Sequence, residues 1–138
     1  MTLCQTNAQP IRLPQILSEP SGEVTVSGWG KTSDNDTTLP EHLQVVELPV
    51  ISTKDCLTYF PRRITPRMFC AGYEEGGKDA CNGDSGGPAA SEDKKLDGIV
   101  SWGHGCGEPR HPGVYTKVSK FINWILIRTR KLPLVECT

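Results

Sequence analysis

Ser85 stands in the run Gly83-Asp84-Ser85-Gly86-Gly87-Pro88. A serine hydroxyl becomes a useful nucleophile when a tight turn holds it beside backbone N–H groups aimed at the developing oxyanion. Gly83, Gly86 and Gly87 remove the side chains that would block such a turn and a close approach of substrate. The amides of Gly83 and Ser85 would supply the donor pair for a tetrahedral intermediate. Asp84 is a carboxylate expected to be buried beside this loop, where it needs a cationic partner.

The same letters fit Gly-x-Ser-x-Gly, the nucleophile elbow of α/β-hydrolases. The elbow requires a strand before the serine and a helix after it. Gly86-Gly87-Pro88 is poor helix sequence, and the chain lacks alternating helices and strands, so this reading is set aside.

The elements that must position Ser85 are short and strand-like. Val24 and Val26 alternate with Thr25 and Ser27 up to Gly28-Trp29-Gly30, which predicts a strand with one buried face. Leu43 to Val50, Met68 to Gly72, Leu96 to Gly103 and Gly113 to Val118 read as further strands between Gly/Pro turns. Lys31 to His42 reads as a polar loop. Ser52 is placed to cap a short helical turn through Cys56. Even strand spacing points to an antiparallel barrel or sandwich. From Ser119 to Lys131 the apolar residues Phe121, Ile122, Ile125 and Leu126, widened by Trp124, predict a terminal helix packed on the strands. Arg128, Arg130 and Lys131 suit the C-terminal end of that helix.

The composition sets outer limits. A chain of 138 residues with 36% hydrophobic and 22% charged residues fits one globular domain. A net charge of −1 offers no broad basic field for nucleic acid or membrane lipid, and no segment is long enough to span a bilayer. The 14 glycines and 11 prolines fit many turns. Six cysteines favour disulfides in an oxidising compartment over a zinc site, and spacing alone leaves fifteen connectivities open. Asn35-Asp36-Thr37 is a glycosylation sequon in a polar loop, which makes Asn35 a candidate acceptor. Met1 to Gln5 has no apolar core of the export type. The expectation is therefore that the natural beginning lies elsewhere.

Read as GDSGGP, Gly83 to Pro88 is the nucleophile motif of the chymotrypsin/trypsin family of serine proteases, which this chain resembles. Ser27-Gly28-Trp29-Gly30, Met68-Phe69-Cys70-Ala71-Gly72, Ser101-Trp102-Gly103, Pro112-Gly113-Val114-Tyr115-Thr116 and Trp124-Ile125 match in order. Together they cover the chain from about Pro10 to Ile125. The resemblance implies an all-β fold, the C-terminal six-stranded antiparallel barrel of the trypsin-like pair followed by an α-helix, with the N-terminal barrel absent. It divides the chain into an extended connector (1–22), the barrel (23–118) and a helix with its tail (119–138).

The same resemblance assigns roles. Ser85 is the nucleophile, and the Gly83 and Ser85 amides form the oxyanion hole. Asp84 receives the new N-terminal ammonium after zymogen cleavage. Asp79 floors the specificity pocket, where a carboxylate attracts Lys or Arg of a substrate; taken alone, it would read as a solvated loop acid. Gly103 and Gly113 leave the pocket walls bare, and Ser101, Trp102 and Gly103 pair with the substrate backbone as an added strand. Disulfides Cys56–Cys70 and Cys81–Cys106 are implied. Ser91 and Val24 replace a further pair, while Cys4 and Cys137 either join each other or reach absent chain.

The family's catalytic His and Asp settings are missing. His42, His104 and His111 match neither and read as surface residues. The resemblance thus implies a secreted serine endopeptidase that cleaves after Arg or Lys, represented by half of its structure and inactive alone. Its partners are protein or peptide substrates with Arg/Lys at the cleavage site, protease inhibitors and the missing N-terminal half, with no nucleic acid and no membrane. No cofactor or metal is implied, since the calcium site of some relatives would lie in the absent half. The face that meets the missing barrel should expose apolar surface. The competing reading is a non-catalytic module that sequesters basic peptides or inhibitors through the Asp79 pocket. Assembly with a separately made N-terminal half, through Cys4, is a third.

Overall fold

Alternation of Val24 and Val26 with polar neighbours builds strand β1 (Glu23–Gly28), whose two valines are buried at 0% and 2% exposure. In the computed structural model, which describes residues 8–130, five more strands follow. They are β2 (Gln44–Ile51), β3 (Met68–Ala71), β4 (Pro88–Ser91), β5 (Leu96–Trp102) and β6 (Gly113–Lys117). All pairings are antiparallel, and the order β1-β2-β3-β6-β5-β4 closes on itself as a barrel. Closure leaves no sheet edge along the paired lengths. The six-stranded all-β barrel with a terminal helix is the architecture expected from the sequence.

The sequence does not predict strand β4. Pro88, Ala89 and Ala90 carry little strand propensity, and the segment is held from outside. Val26 pairs with Ala89 on one side, and Pro88 with Ile99 on the other. Pro88 is tolerated because it is the first residue of its strand. Small residues are needed there by the interior. Phe69 and Tyr115 stack with ring centroids 5.3 Å apart, and a Cβ on Gly98 would lie 2.6 Å from the Phe69 ring. Ala71 and Ala89, both 0% exposed, fill the remaining core of that aromatic pair.

Ser52 caps helix α1 (Thr53–Tyr59): its hydroxyl oxygen accepts from the Asp55 N–H at 3.1 Å. The helix runs past Cys56, which is buried and joined to Cys70 of β3. Phe60 and Val114 complete this second cluster, with Trp102 edge-on to Phe60 at 5.0 Å.

The described part of the connector lies along the barrel and is not a free linker. The Leu96 N–H donates to the Arg12 carbonyl at 2.8 Å, and the Val50 N–H to that of Gly22 at 2.8 Å. The buried Lys117 ammonium meets Glu19 at 2.5 Å.

A 3₁₀ turn (Val118–Lys120) leads into helix α2 (Ile122–Thr129). The expected apolar stripe is only half used. Ile122 is buried, but Trp124 and Leu126 are 60% and 53% exposed, since the helix touches the barrel by one narrow side. Trp29, Leu39, Leu43 and Val45 also expose large apolar side chains around the β1–β2 connection. Cys4, Cys137 and Lys131 lie outside the described residues.

Candidate active site

Disulfide Cys81–Cys106 ties the loop before β4 to the loop between β5 and β6, with Cα atoms 5.2 Å apart. Between these loops and the neighbouring strand ends lies a cavity of about 360 Å³. Asp79, Ser85, Ser101, Trp102, Gly103 and Gly113 all line it. These residues span 35 positions of sequence (79 to 113), and the fold brings them to one opening.

Asp79 is held by two backbone donors, with Ala80 N–H to Oδ1 at 2.8 Å and Gly107 N–H to Oδ2 at 3.1 Å. Burial pushes its carboxyl up to about 6, and those two donors only partly oppose this. The nearby Asp34 and Asp84 charges push the same way. Among the described residues no Lys or Arg pairs with Asp79. An incompletely solvated carboxylate without a counter-charge leaves the cavity ready for a cation.

Gly113 is bare for a local reason. A Cβ there would lie 2.8 Å from Asp79 Oδ1 and 3.1 Å from the Tyr115 hydroxyl. Gly103 differs: an added Cβ would meet backbone atoms at 3.7 Å and beyond, so only an occupant of the cavity would feel it.

Ser85 is exposed on a turn. On either side of it, the Asp84 N–H donates to the Cys81 carbonyl at 3.0 Å. The Gly86 N–H donates to that of Val100 at 2.9 Å, and the Gly87 N–H to that of Asp84 at 2.9 Å. The Gly83 and Ser85 N–H groups have no protein acceptor among the described residues. Gly83 has φ +103°, in the region that favours glycine, and lies beside the cavity lining without forming part of it. Two backbone donors at and near Ser85 thus remain unspent among the described residues.

Asp84 turns away from the cavity mouth. Its Oδ1 accepts from Gly30 N–H at 2.8 Å and its Oδ2 from Cys81 N–H at 3.0 Å. Half-buried, it is satisfied by backbone amides and has no Lys or Arg partner among the described residues, whereas the sequence led us to expect a cation. A Cβ on Gly28 or Gly30 would collide with this carboxylate. The Ser27-Gly28-Trp29-Gly30 run therefore makes room for a side chain 54 positions later, which the sequence reading missed. With Asp79, Asp84 borders a second cavity of about 190 Å³.

Ser101 falls where the β5–β6 register shifts between Val100 and Trp102. Pairing of β5 toward β4 ends with the Gly86 and Gly87 bonds to Val100, so Ser101 to Gly103 run on beyond that neighbour. Trp102 is fixed by Phe60 and by the Arg63 guanidinium 4.4 Å from its ring centroid.

Other participants carry no signal in the sequence. Asp34, from the polar loop, lines the cavity and accepts from the Cys106 N–H at 2.8 Å. The Tyr115 hydroxyl is buried beside the cavity and has no hydrogen-bond partner among the described residues; burial pushes its ionisation upward. No imidazole among the described residues reaches Ser85. His104 and His111 turn Nδ1 toward Glu108 and the Pro109 carbonyl, and His42 precedes β2. Asn35 is exposed in its loop, as a glycan acceptor must be.

The family model described as "Trypsin" matches residues 2–125. Rat "Serine protease 1" is 48% identical over 116 residues, covering 84% of this chain and 47% of the relative. Dog "Anionic trypsin" is 47% identical over 115 residues, covering 83% and 46%. Pig "Trypsin" is 45% identical over 115 residues, covering 83% and 49%. The chain spans about half the length of the curated relatives it matches.

Proposed function

This chain belongs to the trypsin family, and on that premise we propose that it is the nucleophile- and pocket-bearing half of a serine endopeptidase that cleaves after Arg or Lys. The observation that carries the reading is the single cavity lined by both Ser85 and the unpaired Asp79. The cationic side chain of a substrate enters past Gly103 and Gly113 to Asp79, while its backbone adds a strand to Ser101–Gly103. That docking brings the scissile carbonyl to Ser85 Oγ, and the Gly83 and Ser85 N–H groups receive the oxyanion. Ser85 requires a base for its proton; the reading assigns that imidazole, and the acid that orients it, to an N-terminal half. Asp84 is the acceptor for a new N-terminal ammonium entering the smaller cavity beside it. The substrates, inhibitors and extracellular location typical of such an enzyme follow as part of the same proposal.

Gly113→Ala is expected to weaken binding of benzamidine, an arginine-like amidinium, by about tenfold or more, since overpacking costs roughly 1–3 kcal/mol. Titration calorimetry reads this directly.

One observation favours a second reading. Among the described residues Ser85 has no imidazole partner, while Asp79 still lines the cavity that a non-catalytic trap for basic peptides would use. The transcript upstream of Met1 separates the two. The enzyme reading expects an in-frame Ala-Ala-His-Cys setting there, and a start without one favours the trap.

A further inference from the structure

We propose that His104, Glu108 and His111 form a divalent transition-metal site, of the kind zinc occupies, on the rim of the Asp79 cavity. Their donor atoms all lie within 4.8 Å of one another. Glu108 Oε2 is 3.4 Å from His104 Nδ1 and 3.8 Å from His111 Nδ1. Tetrahedral zinc with bonds near 2.0–2.2 Å holds its donors about 3.3–3.6 Å apart, so small side-chain rotations complete the set. Two imidazoles and one carboxylate, leaving a fourth position to water, are donors that zinc-class ions favour over calcium or magnesium.

The loop is built to hold these groups close. Gly105, at φ +67°, clears the space that Glu108 occupies: a Cβ there would lie 2.6 Å from Glu108 Oε1. The backbone is pinned by Cys81–Cys106, by Gly77 N–H to the Gly107 carbonyl at 2.7 Å, and by Arg110 N–H to that of Glu74 at 2.9 Å. The two imidazole rings stack with centroids 4.7 Å apart, and no Lys or Arg pairs with Glu108 among the described residues. His111 Nδ1 also lies 3.0 Å from the Pro109 carbonyl, a contact that ligation through this nitrogen replaces. All three side chains are open to solvent, at 63%, 46% and 37% exposure, so an ion has free entry.

Position gives the site its consequence. His104 follows Gly103, and His111 stands two residues before Gly113; both glycines line the acid-floored cavity. A dication on this rim opposes entry of a cationic side chain, and by linkage a bound cation weakens the metal to the same degree. The metal site stands independently of the proteolytic reading; only its effect on substrate rests on that reading.

The test is calorimetric titration of the 138-residue chain with zinc chloride. One site is expected, with His104→Ala and His111→Ala each weakening it by at least the ~10-fold that loss of an outer-sphere partner costs. The double variant should lose the site with an unchanged circular dichroism spectrum. Failure of the wild-type chain to bind zinc, or equal binding by the double variant, overturns the proposal. Benzamidine affinity should fall at least about fivefold when zinc is bound. An unchanged affinity removes the regulatory half, and benzamidine failing to bind without zinc counts against the pocket reading instead.

Discussion

The isolated 138-residue chain is expected to hydrolyse an arginine amide no faster than its own Ser85→Ala variant. Without a base the hydroxyl stays protonated, and loss of the triad costs on the order of 10⁶ in turnover. If the proposed oxyanion donors, Gly83 N–H and Ser85 N–H, act alone, they sustain at most roughly 10³–10⁴ over water, and only with the substrate correctly placed. Here half of the placing surface belongs to the proposed partner half. In a longer polypeptide that supplies the imidazole and its acid, Ser85→Ala should instead cost about 10⁶ in kcat. Chromogenic amide assays on both forms check this. Turnover by the isolated chain that disappears in Ser85→Ala would show that another group here serves as base.

Asp79→Asn is expected to weaken benzamidine binding by roughly 30-fold or more, the 2–5 kcal/mol that follows truncation of one partner in a buried charge pair. The pH dependence has a definite sign. Burial pushes the Asp79 carboxyl up to about 6, so the charged form that attracts an amidinium prevails above that pH. Affinity should therefore rise with pH through about 6 and level off beyond it. Stability runs the other way. A carboxyl raised on folding binds its proton more tightly in the folded chain, so its contribution declines as pH rises from about 4, its unfolded value, to about 6. In Asp79→Asn that decline is absent, and in wild type benzamidine offsets it. Calorimetric titrations and thermal melts across this range give both curves. A benzamidine affinity that is flat with pH contradicts the assignment.

Much of this arrangement could be read from the sequence because particular residues state their own constraints. Val24 and Val26 announce a half-buried strand, Ser52 a helix start, and the glycines of Gly83-Asp84-Ser85-Gly86-Gly87 a tight turn around the serine. What stayed hidden depends on partners far away in the chain. Strand β4 is weak in propensity and exists because β1 and β5 pair with it around the Phe69–Tyr115 stack. Gly28 and Gly30 look like turn residues until Asp84 is seen against them. Asp34, one acid in a polar loop, becomes part of the cavity only through its bond to the Cys106 amide. The exposed Trp124 and Leu126 show the opposite failure: helical spacing marks an apolar side without showing how much of it the barrel covers.

The most direct test is to follow backbone amide resonances of the chain as benzamidine is added. The largest shifts are expected at Ala80 and Gly107, whose N–H groups hold the Asp79 carboxylate, with Gly103 and Gly113 next and Ser85 responding at the mouth. In Asp79→Asn the same shifts should need roughly 30-fold more benzamidine or more. Shifts centred elsewhere, or a pattern that appears at an unchanged benzamidine concentration after this substitution, would contradict an acid-floored pocket opening beside Ser85.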